Sequence, residues 1–222
     1  GMIVNKESRS STAEAFRLLR THLSFMLPKA ISDSKGKTIF VTSTISGEGK
    51  SFVAINLAYT LALTDKKVLV VGLDLRAPKI TEYLHMKERK GITNYILDNK
   101  LQVDDLKFNS PQVKNVDFIS SGVVPANPSE LLLNQRLKDL FKIIKNDYDF
   151  IIVDTAPISL VTDTLLIANL ADVVLYLTRA NYLDKRMLVV PKTLHKENKL
   201  PNMAIVLNGT DIREGYGYGY GY

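Results

Sequence analysis

One stretch, Ile39 to Ser51 (IFVTSTISGEGKS), constrains the fold more than any other part of the chain. Ile39, Phe40 and Val41 are apolar and predict a short buried strand. Ser46, Gly47, Glu48, Gly49, Lys50 and Ser51 follow, and beyond them Val53, Ile55, Leu57, Ala58, Leu61 and Ala62 cover a broad helical face. Strand, glycine loop and helix in that order are the setting that a phosphate-binding P-loop requires. Gly47 and Gly49 let the backbone curl its N–H groups inward, and the new helix aims its positive end at the same point. Lys50 then reaches the β- and γ-phosphates of a nucleotide, and the Ser51 hydroxyl is placed to ligate Mg²⁺. The pattern departs from G-x-x-x-x-G-K-[ST] at its first glycine position, which holds Thr44. GEGKS in this context points to nucleotide binding rather than to a structural glycine turn.

The chain has 222 residues, enough for one sizeable α/β domain and short for two. A net charge of +6 fits nucleotide, anionic lipid or nucleic acid. No RNP, zinc or helix-turn-helix signature is present, so nucleic acid is the minority reading. The absence of cysteine excludes disulfides, thiol catalysis and Cys-based metal sites. No apolar run approaches the roughly 18 residues of a membrane span, so the chain itself is expected to be soluble. Gly1 before Met2 reads as a cleavage scar, which allows the chain to be a cytosolic piece of a larger membrane protein.

Taken in order, a helix is predicted from Thr12, as N-cap, to Leu27, with Phe16, Leu19, Leu23 and Leu27 as its apolar stripe. Glu14, Arg17 and Arg20 recur beside that stripe, and their spacing fits solvated i,i+3 pairs within the helix. Pro28 to Lys37 reads as a polar, basic linker. The run Lys67–Leu75 (KVLVVGLDL) predicts a buried parallel strand that delivers Asp74 and Arg76 to its C-terminal end, where α/β sheets place their ligands. A short helix is expected at Gly91–Asn99 and a short strand at Val116–Ile119. Pro125–Leu132 (PANPSELL) reads as a rigid loop, with Ser129 capping one long helix to about Asn146. Phe150–Pro157 (FIIVDTAP) delivers Asp154 to a strand end, as a Walker B carboxylate is delivered. Thr162–Leu170 and Asp184–Asn198 predict helices, and Val173–Thr178 and Ala204–Leu207 predict strands. Strands alternating with helices give a largely parallel sheet with helices on both faces.

Residues 215–222 read GYGYGYGY, placing Tyr216, Tyr218, Tyr220 and Tyr222 on a glycine-spaced tail that should be mobile when free. Three readings stand: a low-complexity tail, an aromatic surface for single-stranded nucleic acid that lacks the usual arginines, or phenols tethered as substrates.

Together these motifs resemble the bacterial tyrosine kinases, the autokinase domains that regulate capsular and exopolysaccharide export. The resemblance rests on GEGKS at Gly47–Ser51, a Walker A′ motif at Gly72–Arg76, a Walker B motif at Ile151–Pro157, an E-x-x-R-x-x-R helix at Glu14, Arg17 and Arg20, the PNP-like loop at Ala126–Leu132, and the tyrosine tail. It implies a P-loop α/β kinase domain over residues 1–214 and a flexible tail over 215–222. It implies ATP or ADP at Ser46, Gly47, Glu48, Gly49, Lys50, Ser51, Phe52 and Asn208, the last on the adenine side. It implies Mg²⁺ at Ser51, Asp74 and Asp154, catalysis by Lys50, Asp74, Arg76 and Asp154, and autophosphorylation of Tyr216, Tyr218, Tyr220 and Tyr222. It shifts Glu14, Arg17 and Arg20 towards an oligomer contact in an octameric ring of unphosphorylated subunits. The implied partners are a transmembrane co-polymerase domain or activator and a tyrosine phosphatase, at the cytoplasmic face of the bacterial inner membrane.

Two departures bear on this. Gly72 stands where the family has the first aspartate of D-x-D-x-R, a candidate general base, which leaves Asp74 and Asp154 as the carboxylates in reach. Ile45 stands where the related partitioning and cell-division ATPases have a lysine, which argues against that sister class. A partitioning-type ATPase, or a nucleotide-gated assembly module without kinase activity, are the alternatives.

Overall fold

The computed structural model describes residues 10–27, 36–110 and 112–210. Its elements are α1 (Ser11–Met26), β1 (Lys37–Ser43), α2 (Lys50–Ala62), β2 (Val68–Gly72), α3 (Ile80–Tyr83), α4 (Ile92–Leu97), β3 (Phe108–Asn109), β4 (Val116–Ile119), α5 (Pro128–Leu132), α6 (Gln135–Asp147), β5 (Phe150–Asp154), α7 (Asp163–Leu166), β6 (Val173–Arg179), α8 (Val189–Lys196) and β7 (Met203–Asn208). The seven strands form one sheet in the order β3-β4-β2-β5-β1-β6-β7. Every pairing is parallel except that of β3 with β4. This is the predicted α/β architecture.

The continuous apolar strands follow from burial on both faces. Along β1 and β2 alternate residues feed opposite layers. Phe40, Leu69 and Val71 join a core with α4, α5, α6 and α8 residues such as Ile96, Leu131, Phe141 and Leu194. Ile39, Val41, Val68 and Val70 join a second core built on α1 and α2, with Phe16, Leu23, Leu57 and Leu61. The helix α2 is therefore buried nearly all round: the sheet lies on one side and α1 on another.

Register sets the strand ends level. Asp154 of β5 pairs with Val41 of β1 on one side and with Gly72 of β2 on the other. Arg179 of β6 pairs with Asn208 of β7. The C-terminal ends of five neighbouring strands thus open onto one edge.

Several boundaries differ from the sequence expectation, each for a polar reason. The helix α1 is capped by Ser10, whose hydroxyl accepts from Ala13 N at 3.2 Å, and not by Thr12. The long helix expected from Ser129 is two helices. Asn127 precedes the first, and Asn134 restarts the second by accepting from Arg136 N at 2.9 Å. Ser129 is drawn into a side-chain contact described below instead of capping. The Asp184–Asn198 segment begins as a 3₁₀ turn, Lys185–Leu188, because Pro191 has no N–H to donate and is tolerated only in the first turn of an α-helix. The antiparallel β3 and the single-turn α3 carry too few residues to show a periodicity. Most of the predicted linker, and the whole tyrosine tail with Tyr216, Tyr218, Tyr220 and Tyr222, lie outside the described residues.

The cap at Asn134 separates the two helical readings by sign. Asn134→Ala should lower stability by about 1 kcal/mol, a fall in melting temperature of about 2–4 °C for a chain of this size. Within one continuous helix the same change would raise stability by up to ~0.7 kcal/mol. Thermal denaturation of the two proteins side by side decides between them.

Candidate active site

The loop between β1 and α2 carries the first part of the site. Gly47 has φ of 83° and Gly49 of 98°, both in the left-handed region where a side chain is strained. Gly49 is also the N-cap of α2 and offers no side-chain bond, so the first N–H groups of the helix have no capping partner from it. That leaves an anion-seeking helix end, as expected. Thr44, at the vacant glycine position, does not adopt a left-handed φ. Its hydroxyl meets the Tyr176 phenol at 2.9 Å beneath the loop. A side chain is therefore accommodated there, and burial pushes Tyr176 up to about 12, keeping it protonated. Lys50 is buried, with its ammonium 3.4 Å from Ser43 Oγ.

The second part comes from β5. The Ser51 hydroxyl donates to Asp154 Oδ2 at 2.5 Å. Asp154 is 2% exposed, and its Oδ1 has no hydrogen-bond partner. Burial pushes its carboxyl up to about 7, opposed by the Ser51 bond and the Lys50 charge and assisted by the nearby Asp74 charge. The Asp154 main-chain carbonyl accepts from both Leu73 N, at 2.8 Å, and Asp74 N, at 3.1 Å. Asp74 Oδ1 accepts from Arg76 N at 3.2 Å and Ala77 N at 3.0 Å, so the Walker A′ segment is folded into a tight turn against Asp154.

An orphaned buried carboxylate oxygen, a serine hydroxyl and a second carboxylate form a hard oxygen donor set that suits Mg²⁺. Among the described residues no three His, Cys, Asp or Glu side chains are grouped so that they could hold a metal ion by themselves.

Other expected site residues are placed differently. The Glu48 side chain is fully buried and points back into the protein, accepting from Ile45 N at 2.8 Å and Arg179 N at 3.2 Å. Only its backbone remains for a ligand. The Phe52 ring packs edge-to-face on Phe16 of α1, 5.9 Å between centroids. Arg76 does not reach towards the P-loop: it forms a two-pronged pair with Asp163, at 2.8 and 3.1 Å, and bonds Ser129 Oγ at 3.2 Å. Ser129 in turn donates to Asp163 Oδ1 at 3.0 Å, so the A′ turn, α5 and α7 are tied together. Asn208 lies over the loop, donating to the Glu48 carbonyl at 2.8 Å. In α1, Arg17 pairs with Glu14 as the spacing predicted, and Arg20 donates to the Thr60 carbonyl of α2 at 3.1 Å.

Asp163, Arg179, Tyr182 and Ser121 were not legible as site residues. Arg179 ends a buried apolar run at the ligand edge of the sheet, which was an available signal. Asp163 reads as an ordinary acid in the first turn of a helix.

The AAA domain family matches residues 36–188. The chain is 30% identical over 208 residues to tyrosine-protein kinase YwqD of Bacillus subtilis (strain 168), an alignment covering 94% of this chain and 85% of that protein. It belongs to the bacterial tyrosine kinases. It is 36% identical over 166 residues to the putative tyrosine-protein kinase EpsB of Ralstonia solanacearum, covering 75% of this chain and 21% of EpsB. The chain thus spans about a fifth of that longer relative. The kinase domain of Escherichia coli tyrosine kinase ETK superposes with a TM-score of 0.84 at 28% identity, covering 98% of this chain and 83% of that one.

Gly72, where this family resemblance places an aspartate, has no left-handed φ to explain it. Space explains it: a Cβ there would lie 2.7 Å from Ser121 Oγ and 3.1 Å from Ser121 N. Ser121 Oγ also donates to the Gly72 carbonyl at 3.1 Å. Gly72→Asp should therefore cost about 1–3 kcal/mol through overpacking, and pairing it with Ser121→Ala should recover part of the lost melting temperature. Full stability of the single variant would show that the strand end has slack the packing does not display.

Proposed function

We propose that the chain is the catalytic part of an ATP-dependent protein-tyrosine autokinase that phosphorylates its own C-terminal tyrosines and regulates capsular or exopolysaccharide synthesis and export. The observation that carries this is the convergence of an anion-seeking helix end, Lys50, Ser51 and two carboxylates at one sheet edge, in a member of this kinase family. Membership also favours this reading over the partitioning-type ATPase.

In this reading the backbone from Ser46 to Phe52 and the Lys50 ammonium hold the nucleotide phosphates. Ser51, Asp74 and Asp154 hold Mg²⁺, directly or through water, and the ion supplies positive charge to the transferring phosphoryl group. A tail phenol oxygen attacks the γ-phosphorus while the bond to the β,γ-bridging oxygen breaks, and ADP leaves. The phenol arrives protonated at neutral pH. Its proton passes to Asp74 or Asp154, since Gly72 offers no carboxylate. Phosphoryl transfer depends mostly on positioning and electrostatics, so the missing aspartate is compatible with activity. Arg76, held by Asp163 and Ser129, acts by fixing the A′ turn that presents Asp74.

The acceptors are Tyr216, Tyr218, Tyr220 and Tyr222. The unphosphorylated chain assembles as a ring through α1, so that tails enter neighbouring sites. Each phosphotyrosine adds about −1.5 to −2 charge, which repels the tail from the bound nucleotide and loosens the ring. A transmembrane co-polymerase domain or activator anchors the assembly at the inner membrane, and a tyrosine phosphatase resets it. Among the described residues no helix is long and apolar enough to cross a membrane.

Incubation with γ-labelled ATP and Mg²⁺ should place label on tail tyrosines, located by mass spectrometry. Lys50→Met keeps the bulk and loses the ammonium, and should reduce that label to background; wild-type labelling in this variant would remove the P-loop from the mechanism. Phosphate release without labelled tyrosine would favour an ATPase.

Assembly has its own test. Changing Glu14, Arg17 and Arg20 together to Ala should shrink the particle by light scattering. Circular dichroism should stay unchanged, because Ala is the best helix former. An undiminished mass would return Glu14 and Arg17 to a local surface pair and Arg20 to its bond with Thr60.

A further inference from the structure

Each peptide unit of a phosphate-binding loop has two ends. Turning the N–H groups inward turns the carbonyls outward, where they need donors of their own. In this chain three successive outward carbonyls each receive one, from a side chain of β6, of β7 or of the turn after β6. The Tyr182 hydroxyl donates to the Ser46 carbonyl at 3.1 Å. Arg179 Nη1 donates to the Gly47 carbonyl at 2.9 Å. Asn208 Nδ2 donates to the Glu48 carbonyl at 2.8 Å.

The three donors support one another. Arg179 and Asn208 are register partners on adjacent strands. The Arg179 guanidinium lies 5.0 Å from the centre of the Tyr182 ring. Gly209 N donates to Asn208 Oδ1 at 2.9 Å, which fixes the amide with its NH₂ towards the loop. The main-chain N–H of Arg179 also holds the Glu48 carboxylate.

The glycines agree with this arrangement. A Cβ on Gly47 would lie 2.4 Å from the Tyr182 hydroxyl, and one on Gly49 would lie 2.3 Å from Asn208 Nδ2. The space left by the missing side chains is filled by these donors.

We propose that Tyr182, Arg179 and Asn208 are positioning residues for phosphate binding: a strap on the outer face of the P-loop that holds its carbonyls outward and so keeps its N–H groups turned to the nucleotide phosphates. The proposal rests on the nucleotide reading above. It gives Asn208 a role on the phosphate side of the site besides the adenine contact that the resemblance implied. It also gives Tyr182 a structural task separate from the acceptor tyrosines of the tail.

Calorimetric titration with Mg·ATP and with inorganic tripolyphosphate tests it. Tyr182→Phe keeps the ring and removes only the hydroxyl; Asn208→Leu keeps the approximate volume and removes the donor. Loss of one neutral hydrogen bond predicts about fivefold weaker binding. For Tyr182→Phe that factor should be the same for ATP and for tripolyphosphate, while circular dichroism shows that the variant keeps the wild-type fold. A loss confined to ATP would mean contact with the nucleoside and overturn the strap. Unchanged affinity for both ligands in Tyr182→Phe would overturn it as well, and that variant decides if Asn208→Leu does not fold. Wild type that binds ATP but not tripolyphosphate would place the affinity in the nucleoside and overturn the strap alone. Wild type that binds neither would overturn the nucleotide reading and the strap with it.

Discussion

A carboxylate sealed at the end of β5 is the constraint on which the rest of the site depends. An ion buried as deeply as Asp154 costs several kcal/mol unless its surroundings compensate. Here they compensate in part. The Ser51 hydroxyl donates to one oxygen and the Lys50 charge is near, yet the other oxygen has no partner and burial still pushes the group up to about 7. A fully compensated group would not be shifted upward. The unpaired oxygen beside the Ser51 hydroxyl is what makes the donor set suit a cation. The same residue also acts through its backbone, whose carbonyl holds the A′ turn by two N–H bonds. With β5 lying between β2 and β1, Asp154 links the P-loop helix and the A′ turn in one fixed relation.

What the sequence made legible was the part governed by apolar patterning. Runs such as Lys67–Leu75 and Phe150–Pro157 predict buried strands, and the structure has strands there, because continuous apolar residues leave few other folds open. The elements whose boundaries differ from the sequence expectation turn on a single polar side chain. Ser10 and Asn134 cap helices whose starts look unremarkable against the periodicity, since Thr12 and Ser129 are chemically equivalent candidates a few residues away. Choosing between equivalent caps requires knowing where the chain goes next. Ser129 was unavailable because Arg76 and Asp163, distant in sequence, claimed it. Likewise the site position of Asp154 could be inferred from its strand, whereas the inward turn of Glu48 depends on Arg179, which lies 131 residues further on.

Two departures, Thr44 from the common P-loop pattern and Gly72 from the family pattern, have local explanations that only packing reveals. Thr44 is tolerated because its backbone does not need glycine's freedom and its hydroxyl finds Tyr176. Gly72 is required because Ser121 occupies the room a side chain would need. In the first case a larger residue filled the vacancy; in the second a neighbour did. Both keep the strand ends packed and the hydroxyls of Thr44, Tyr176 and Ser121 paired, so neither loosens the site. What changes is the number of carboxylates at the end of β2. One, Asp74, now stands where the family pattern has two.

The last strand makes sense on the same terms. An edge strand of a parallel sheet, with Ile205 and Leu207 more than half exposed, contributes little to the core. Its contribution is positional. By pairing Asn208 with Arg179 it carries an amide to the outer side of the P-loop, where the carbonyls left by inward-facing N–H groups would otherwise rely on water. Water can satisfy a carbonyl but cannot fix its direction, because it moves with the loop. Side chains rooted in two hydrogen-bonded strands can. The loop's inner face is therefore set from the far side of the sheet edge. The glycines that the sequence offers as room for phosphate also serve as room for the groups that hold the loop in place.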